Sequence, residues 1–384
     1  MILDCFDRDE DVSLYVHVPF CASKCAYCAF YSIPQNMQTD ALVKSYFKRL
    51  ITEINKAVSY FKKPFKTIYI GGGTPLLTGN VKYIKEVLEA SRSTLSDEVT
   101  IECNAPNITD EVKRDIIPLI TRLSVGIQSF DKGVLKFFQR REAKDEDILN
   151  ILRLDKKINF DFIAGVSNYY ATMNDLMHLF ELCERGRVKT PEHLSVYLLS
   201  IEEGTPLYKN GVTVDDEKAA EEIKKIWKFL ERQGYEHYEV SAFSRDNNRS
   251  MHNMRYWSLQ NYIGLGSTAS SHSKLGYDVS NSGTVDDYVN SPPFASYLEE
   301  KLTKADIASE LILTHLRTTD GLKAEEFNAL TGYSLDDIIN APNSDKNEQK
   351  TLKKHYNNGV FCLKSDELLF SDYYIRTLNN RIKE

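Results

Sequence analysis

Cys21, Cys25 and Cys28 fall within one short stretch, Tyr15-Val-His17-Val-Pro-Phe-Cys21-Ala-Ser-Lys-Cys25-Ala-Tyr27-Cys28-Ala-Phe30, with the spacing Cys-x3-Cys-x2-Cys. Three thiolates can hold three irons of a [4Fe–4S] cube and leave the fourth iron without a protein ligand. A small molecule can then bind that open iron. Electron-transfer clusters of the ferredoxin kind are normally closed by four cysteines. Structural zinc sites are closed by four Cys or His ligands, usually as two separated pairs; His17 keeps zinc open as an alternative by offering a fourth ligand. A disulfide framework is the weaker reading, because three clustered cysteines leave one over.

Such a loop needs a scaffold. Apolar β-rich runs cover 14–18, 66–70, 99–103, 122–127, 158–163 and 193–199. Helical patterns separate them at 40–60, 81–92, from Thr109, between 132 and 155, and over 171–185. This alternation predicts a parallel sheet with helices outside it. The units before position 200 fall short of a closed eight-fold barrel. The expected fold class is therefore α/β, an open (β/α)6 partial barrel whose apolar strand residues form the core. A further helix is expected over 215–233. Beyond 245 the alternation stops. The tail reads as helices over 309–316, 324–330 and 348–356, then a hairpin of 360–363 with 368–370, in a winged-helix-like α+β order. The loop 340–347 is polar. The expected division is a core over 1–245 and a C-terminal domain over 246–384.

Composition bounds the rest. The 384 residues suggest two or more domains, and 42% hydrophobic with 27% charged residues is ordinary for a soluble protein. No apolar run reaches the ~18 residues of a spanning helix. The acidic N-terminus is not a signal peptide, so the expected location is the cytoplasm. A net charge of −7 argues against nonspecific nucleic-acid binding over the whole surface. Cys5, Cys103, Cys183 and Cys362 are scattered and read as ordinary packed thiols of a reducing compartment.

In parallel barrels, ligands meet the C-terminal ends of the strands. Gly71-Gly72-Gly73-Thr74-Pro75 closes the second strand; glycines there let backbone N–H groups approach a carboxylate or phosphate, although such a run alone is most often a tight turn. Glu102 sits inside the third strand, where a carboxylate is costly unless paired or at a pocket mouth. Gln128 ends the fourth, and Asp161 lies among aromatics in the fifth, where it suits the two hydroxyls of a ribose or caps a local turn.

The cysteine loop after an apolar strand resembles that of the radical S-adenosylmethionine (SAM) superfamily. Tyr15-Val-His-Val-Pro-Phe-Cys21 narrows the resemblance to the oxygen-independent coproporphyrinogen III oxidase group, and within it to the HemW-type haem chaperones. The resemblance covers most of residues 13–270. It implies a [4Fe–4S] cluster on Cys21, Cys25 and Cys28 whose open iron chelates SAM. Gly72, Gly73 and Thr74 then contact the methionyl part of SAM. Tyr15, Glu102 in Glu102-Cys-Asn-Ala-Pro106, Gln128 in Gly126-Ile-Gln128-Ser-Phe130, and Arg140 belong to the same site. Arg141 leaves the arginine's register uncertain by one. Asp161 takes the ribose; the segment after it, Gly165-Val-Ser167, departs from the family's Gly-Leu-Pro.

Two departures separate the subgroups. The resembled oxidases carry a fourth cysteine where this chain has Phe30, and a longer arm before the cluster. Both point to the chaperone branch. His252-Asn-Met-Arg-Tyr256-Trp257 looks like that branch's His-Asn-x-x-Tyr-Trp segment, which implies haem as a bound group. One imidazole can ligate haem iron while aromatic rings border the porphyrin; alternatively His252 makes structural hydrogen bonds beside a packed Trp257. In Ala269-Ser-Ser-His272 the histidine is displaced from its usual place. The resemblance thus implies haem delivery to acceptor proteins. It leaves open whether the chain is an enzyme, whether it forms a homodimer and whether it associates peripherally with membranes. The alternatives are a decarboxylating coproporphyrinogen III oxidase and, more remotely, a winged-helix nucleic-acid module at Lys353-Lys354-His355. No nucleic-acid partner is expected.

Overall fold

Apolar and polar residues alternate along the central strands, and this alternation dictates how the sheet curls. In the computed structural model, which describes residues 2–166, 170–281, 283–341 and 346–382, six parallel strands lie side by side in one twelve-stranded sheet. They are β1 (Ser13–Val18), β2 (Thr67–Gly72), β3 (Glu98–Cys103), β4 (Arg122–Gln128), β5 (Lys157–Ala164) and β6 (His193–Leu198). Leu14, Val16, Ile68, Ile70, Val99, Ile101, Leu123, Val125, Phe160, Phe162, Leu194 and Val196 occupy one face and are buried in the main core.

A strand's side-chain period of two sends the intervening residues to the other face. Those residues are mostly polar, and they bond to one another across strands. Ser13 meets Thr67 at 2.8 Å, Tyr69 meets Glu102 at 2.8 Å, Ser124 meets Asp161 at 3.0 Å and Asn159 meets His193 at 2.7 Å. Fully parallel sheets usually carry apolar residues on both faces. Here the inner face lines a polar barrel interior, and only the outer face is covered by helices such as Asp40–Tyr60, Val81–Ala90 and Ala171–Gly186. Thr39, Thr109 and Asp215 cap their helices by accepting from the backbone N–H of Leu42, Val112 and Lys218, as their positions ahead of apolar periodic segments predict.

The barrel stays open. β7 (Glu236–His237) and β8 (Ala242–Ser244) extend the β6 edge in antiparallel fashion. At the other edge β9 (Tyr262–Leu265) pairs parallel to β1 and starts an antiparallel meander of β10 (Ser270–Ser273), β11 (Tyr277–Asn281) and β12 (Tyr297–Lys301). The expected open (β/α)6 core is what the chain forms. The meander was not expected: its strands are short and three of its four pairings are antiparallel, so the β/α rhythm is lost. Position 245/246 falls between β8 and β9, which flank the six parallel strands on opposite sides of the same sheet.

The tail follows the expected winged-helix-like order with corrections. Its first helix is Lys304–His315, starting at a Thr303/Asp306 capping box rather than at 309. The strand expected at 368–370 is instead part of a 3-10 helix, Ser365–Phe370. Val360–Phe361 pairs with Tyr356–Asn357 and with Leu322–Lys323. Asn358 and Gly359 join the first pair with φ of +52° and +75°, the Asn-Gly hairpin turn. Of the expected polar loop 340–347, residues 342–345 lie outside the described residues, as does Ser167. Among the described residues no helix is long and apolar enough to cross a membrane. Cys5, Cys103 and Cys183 are buried, while Cys362 is half-buried.

Candidate functional site

β1 delivers its chain directly into the cysteine loop at the C-terminal end of the barrel. Phe20–Cys21 pairs with Ile33–Pro34, and Gln38 Nε2 donates to the carbonyls of Cys21 and Ile33 at 2.9 and 2.7 Å, closing the base of the loop. The Ala26 N–H donates to the Phe138 carbonyl at 3.0 Å, and the Leu207 N–H donates to the Ala26 carbonyl at 3.1 Å. The three thiols are half-buried, so they face the mouth and are not packed into the core.

The glycine segment after β2 is tied to this loop. The Gly73 N–H donates to the Val18 carbonyl and the Thr74 N–H to the Phe20 carbonyl, both at 2.8 Å. A Cβ at Gly73 would lie 2.7 Å from the Phe20 oxygen and 3.0 Å from Cys21 Sγ. The approach therefore requires glycine. Gly72 adopts φ +108°, and its N–H donates to Glu102 Oε2 at 3.1 Å. Thr74 Oγ1 lies 3.9 Å from Cys21 Sγ.

Arg140 enters from the far side. It donates to Gly126 O at 2.8 Å, to Tyr27 Oη at 3.2 Å, to Cys25 Sγ at 3.7 Å, and to Asn104 Oδ1. Arg141 is exposed, whereas Arg140 reaches into the mouth. A Cβ at Gly126 would sit 2.5 Å from Arg140 Nη2 and 2.8 Å from Gln128 Nε2, so both side chains cross this glycine. Gln128 itself has φ +69° at a register shift between β4 and β5, a bulge that re-aims the side chain ending the strand.

Two carboxylates complete the mouth. Burial pushes Glu102 up to about 7, opposed by its hydrogen bond from Tyr69. Burial likewise raises Asp161, against hydrogen bonds from Asn159 Nδ2 (2.8 Å) and Ser124 (3.0 Å). Tyr15 stands beside Tyr69, ring centroids 6.2 Å apart, and its hydroxyl meets His17 Nδ1 at 3.0 Å. His17 Nε2 bonds the Tyr31 carbonyl at 3.1 Å, and burial lowers its pKa to about 4. With both ring nitrogens engaged, His17 is not available as the fourth ligand of a zinc site.

Tyr69, Tyr27, Asn104 and Tyr197 were missed in the sequence. Tyr69 and Tyr197 share the polar register of their strands with Gly71 and Ser195, and that two-residue period was the available signal.

His252 does not join this cluster. It sits on the helix Met251–Trp257 at the opposite, N-terminal end of the strands and is fully buried. Nδ1 meets Thr67 Oγ1 at 2.7 Å, Nε2 meets Tyr256 Oη at 2.7 Å, and its N–H donates to Glu98 Oε1 at 3.0 Å. Burial lowers its pKa to about 3. Neither nitrogen is available to haem iron in this conformation. The reading of His252 as an iron ligand gives way to its structural alternative.

An open parallel barrel with three thiols at its mouth defines a radical SAM protein, and the family model described as the radical SAM superfamily matches residues 15–183. The same fold occurs in coproporphyrinogen III oxidase (HemN) from Escherichia coli, with a TM-score of 0.77 at 19% identity over 99% of this chain and 93% of that one. Among curated relatives, the heme chaperone HemW of Buchnera aphidicola subsp. Schizaphis graminum is 32% identical over 69% of this chain and 70% of its own length. That of Bacillus subtilis is 28% identical over 94% and 98%. The chain belongs to the HemW family. Membership in the superfamily implies a [4Fe–4S] cluster and SAM. The donor set fits them: three half-buried thiols, backbone pressed close through Gly73, and a guanidinium beside Cys25.

Proposed function

We propose that the protein is a haem chaperone that binds haem, carries a [4Fe–4S] cluster on Cys21, Cys25 and Cys28, binds SAM at the same mouth, and passes haem to acceptor proteins. The observation that favours this over coproporphyrinogen oxidation is Phe30. It occupies the place of the oxidases' fourth cysteine and is 71% exposed, so no fourth thiol stands at the rim.

The chain's residues have distinct tasks in this reading. The cluster, when bound, supplies a Lewis-acidic iron and an electron. Gly72, Gly73 and Thr74 present backbone and hydroxyl to the amino-acid part of SAM. Glu102, once ionised, accepts from its ammonium group. Asp161 takes the ribose, while Tyr15, Gln128 and Arg140 border the remainder, with Arg140 also offsetting thiolate charge at Cys25. In this reading His252 is not the haem ligand, because Thr67 and Tyr256 hold both its ring nitrogens. The division into 1–245 and 246–384, a cytoplasmic location, a homodimer and peripheral membrane association belong to this reading too. Nucleic-acid binding by the tail is disfavoured, because Lys354 pairs with Glu367 at 3.0 Å and His355 is buried against Tyr374.

The test is a haem titration of anaerobically reconstituted protein with iron and sulfide analysis, alongside an oxidase assay on the same sample. Stoichiometric haem without loss of coproporphyrinogen III is expected. Turnover of coproporphyrinogen III, or failure to bind haem, would sink the chaperone reading.

A further inference from the structure

The displaced histidine, His272, leads to a second cluster away from the barrel mouth. Strand register builds it. Tyr262 of β9 lies opposite His272 of β10, His272 opposite Asp278 of β11, and Asp278 opposite Glu300 of β12. Directly opposed residues share a face, so these four form a row across the sheet edge. The helix Lys304–His315 lies over that face and adds Glu310. His272 Nδ1 is 2.8 Å from Asp278 Oδ1 and 3.5 Å from Glu310 Oε2, and one ligating atom from each of the three residues falls within 4.8 Å of the others.

The members of this cluster are unequally buried: the side chains of His272, Glu310 and Asp278 are 6%, 26% and 37% exposed. Glu310 Oε2 is buried without a hydrogen bond. Burial pushes Glu310 up to about 8, and Asp278, Asp306 and Glu300 add to the effect. Burial also opposes ionisation of Asp278, yet bonds from His272 and Glu310 hold its pKa below the usual value. Asp306 is committed to the Thr303 cap. Tyr262 is neutral, kept so by burial and by the Asp278 and Glu310 carboxylates.

We propose that His272, Asp278 and Glu310 bind a single divalent transition-metal cation that fastens the helix Lys304–His315 to the edge of the sheet. One imidazole with two carboxylates suits Mn2+ or Zn2+, since imidazole favours zinc and carboxylates favour manganese. Ligand atoms at about 2.1 Å from such an ion lie about 3.0–3.4 Å from each other, close to the 2.8 and 3.5 Å seen. The helix opens the winged-helix-like unit, so the ion joins that unit to the strands flanking β1, which feeds the cysteine loop.

Mn2+ is the probe, because it discriminates against the thiols at the mouth. The full chain with its cluster reconstituted is titrated with Mn2+ and the free-ion EPR signal is followed, with Zn2+ as competitor. The expected result is one Mn2+ per chain, a melting temperature that rises with Mn2+, and binding weakened by at least about tenfold in Glu310→Gln and Asp278→Asn. Melting in chelator checks that the two variants, which alter shape little, remain folded. Absence of Mn2+ and Zn2+ binding, or unchanged affinity in both variants, would overturn the proposal and leave an ion pair sharing a proton.

Discussion

The two ends of the barrel are built from the same six strands, yet they are finished in opposite ways. At the N-terminal end buried side chains are tied to one another across the strands. Arg122 and Glu98 form an ion pair at 3.0 Å, each 2% exposed; Glu98 accepts from the His252 N–H, and His252 bridges Thr67 and Tyr256. Arg122 also donates to the carbonyls of Asn248 and Arg249, just before the Met251–Trp257 helix. That network plugs the floor. At the mouth, by contrast, three thiols are only half-buried, and burial holds the Glu102 carboxyl at about 7 despite its hydrogen bonds from Tyr69 and Gly72. Tyr197 stays 44% exposed at the end of β6. Buried polar networks rigidify a structure, whereas strongly perturbed titratable groups at an open cleft point to a functional site. The contrast separates a histidine that holds the floor from cysteines that hold a cofactor.

The contrast can be broken from either end. The largest effect is expected at the mouth: Cys21→Ala, Cys25→Ala or Cys28→Ala should abolish the visible charge-transfer absorption of the reconstituted cluster while leaving thermal unfolding of the cluster-free protein nearly unchanged. A large loss of stability in these variants would place the thiols in the core instead. At the floor, Arg122→Ala should leave Glu98 buried and unpaired and cost about 3–5 kcal/mol in chemical denaturation. His252→Gln comes next, with a loss of about 1–3 kcal/mol from unsatisfied buried partners and an unchanged Soret titration with haem. A shifted Soret band would return His252 to the haem site.

Glu102 gives a pH test. Its carboxyl titrates at about 7 in the folded chain against a usual value of 4.5. The folded state therefore holds the proton more tightly, and this group's contribution makes the SAM-free protein less stable as pH rises from about 4.5 to about 7, with no further change above. Glu102→Gln should flatten that part of the stability profile. SAM affinity should rise over the same window in the natural chain, as the carboxylate forms, and lose that dependence in the variant; equilibrium binding at several pH values checks it. The smallest effect is expected at Ser250, whose hydroxyl accepts from the Asn253 N–H at the start of the plug helix. Ser250→Ala should cost about 1 kcal/mol and leave cluster content untouched.

Much of this was legible without coordinates. The Cys-x3-Cys-x2-Cys loop needs only local spacing, and the six strands announce themselves by apolar runs separated by helical periodicity. The Gly72-Gly73-Thr74 segment, Glu102, Gln128 and Asp161 stood out because they lie at or near the C-terminal ends of strands, where a parallel barrel meets a ligand, and because they match the family's segments. The meander beyond Asn261 was hidden because its strands are short and partly polar. The Asn358-Gly359 turn was a readable hairpin signal that went unused. His252 was misassigned because a motif gives a residue's type and its neighbours in sequence, not which end of a barrel its helix plugs.

By itself the amino-acid order determined the chemistry on offer: three thiols in one loop, a polar residue at every second position of the strands, and no thiol at Phe30. Only the folded chain decided which of those groups meet. Whether a buried side chain is free to bind depends on contacts between segments far apart in sequence. Thr67 and Tyr256 occupy both nitrogens of His252, while the groups around Cys21, Cys25 and Cys28 leave the sulfurs facing the mouth.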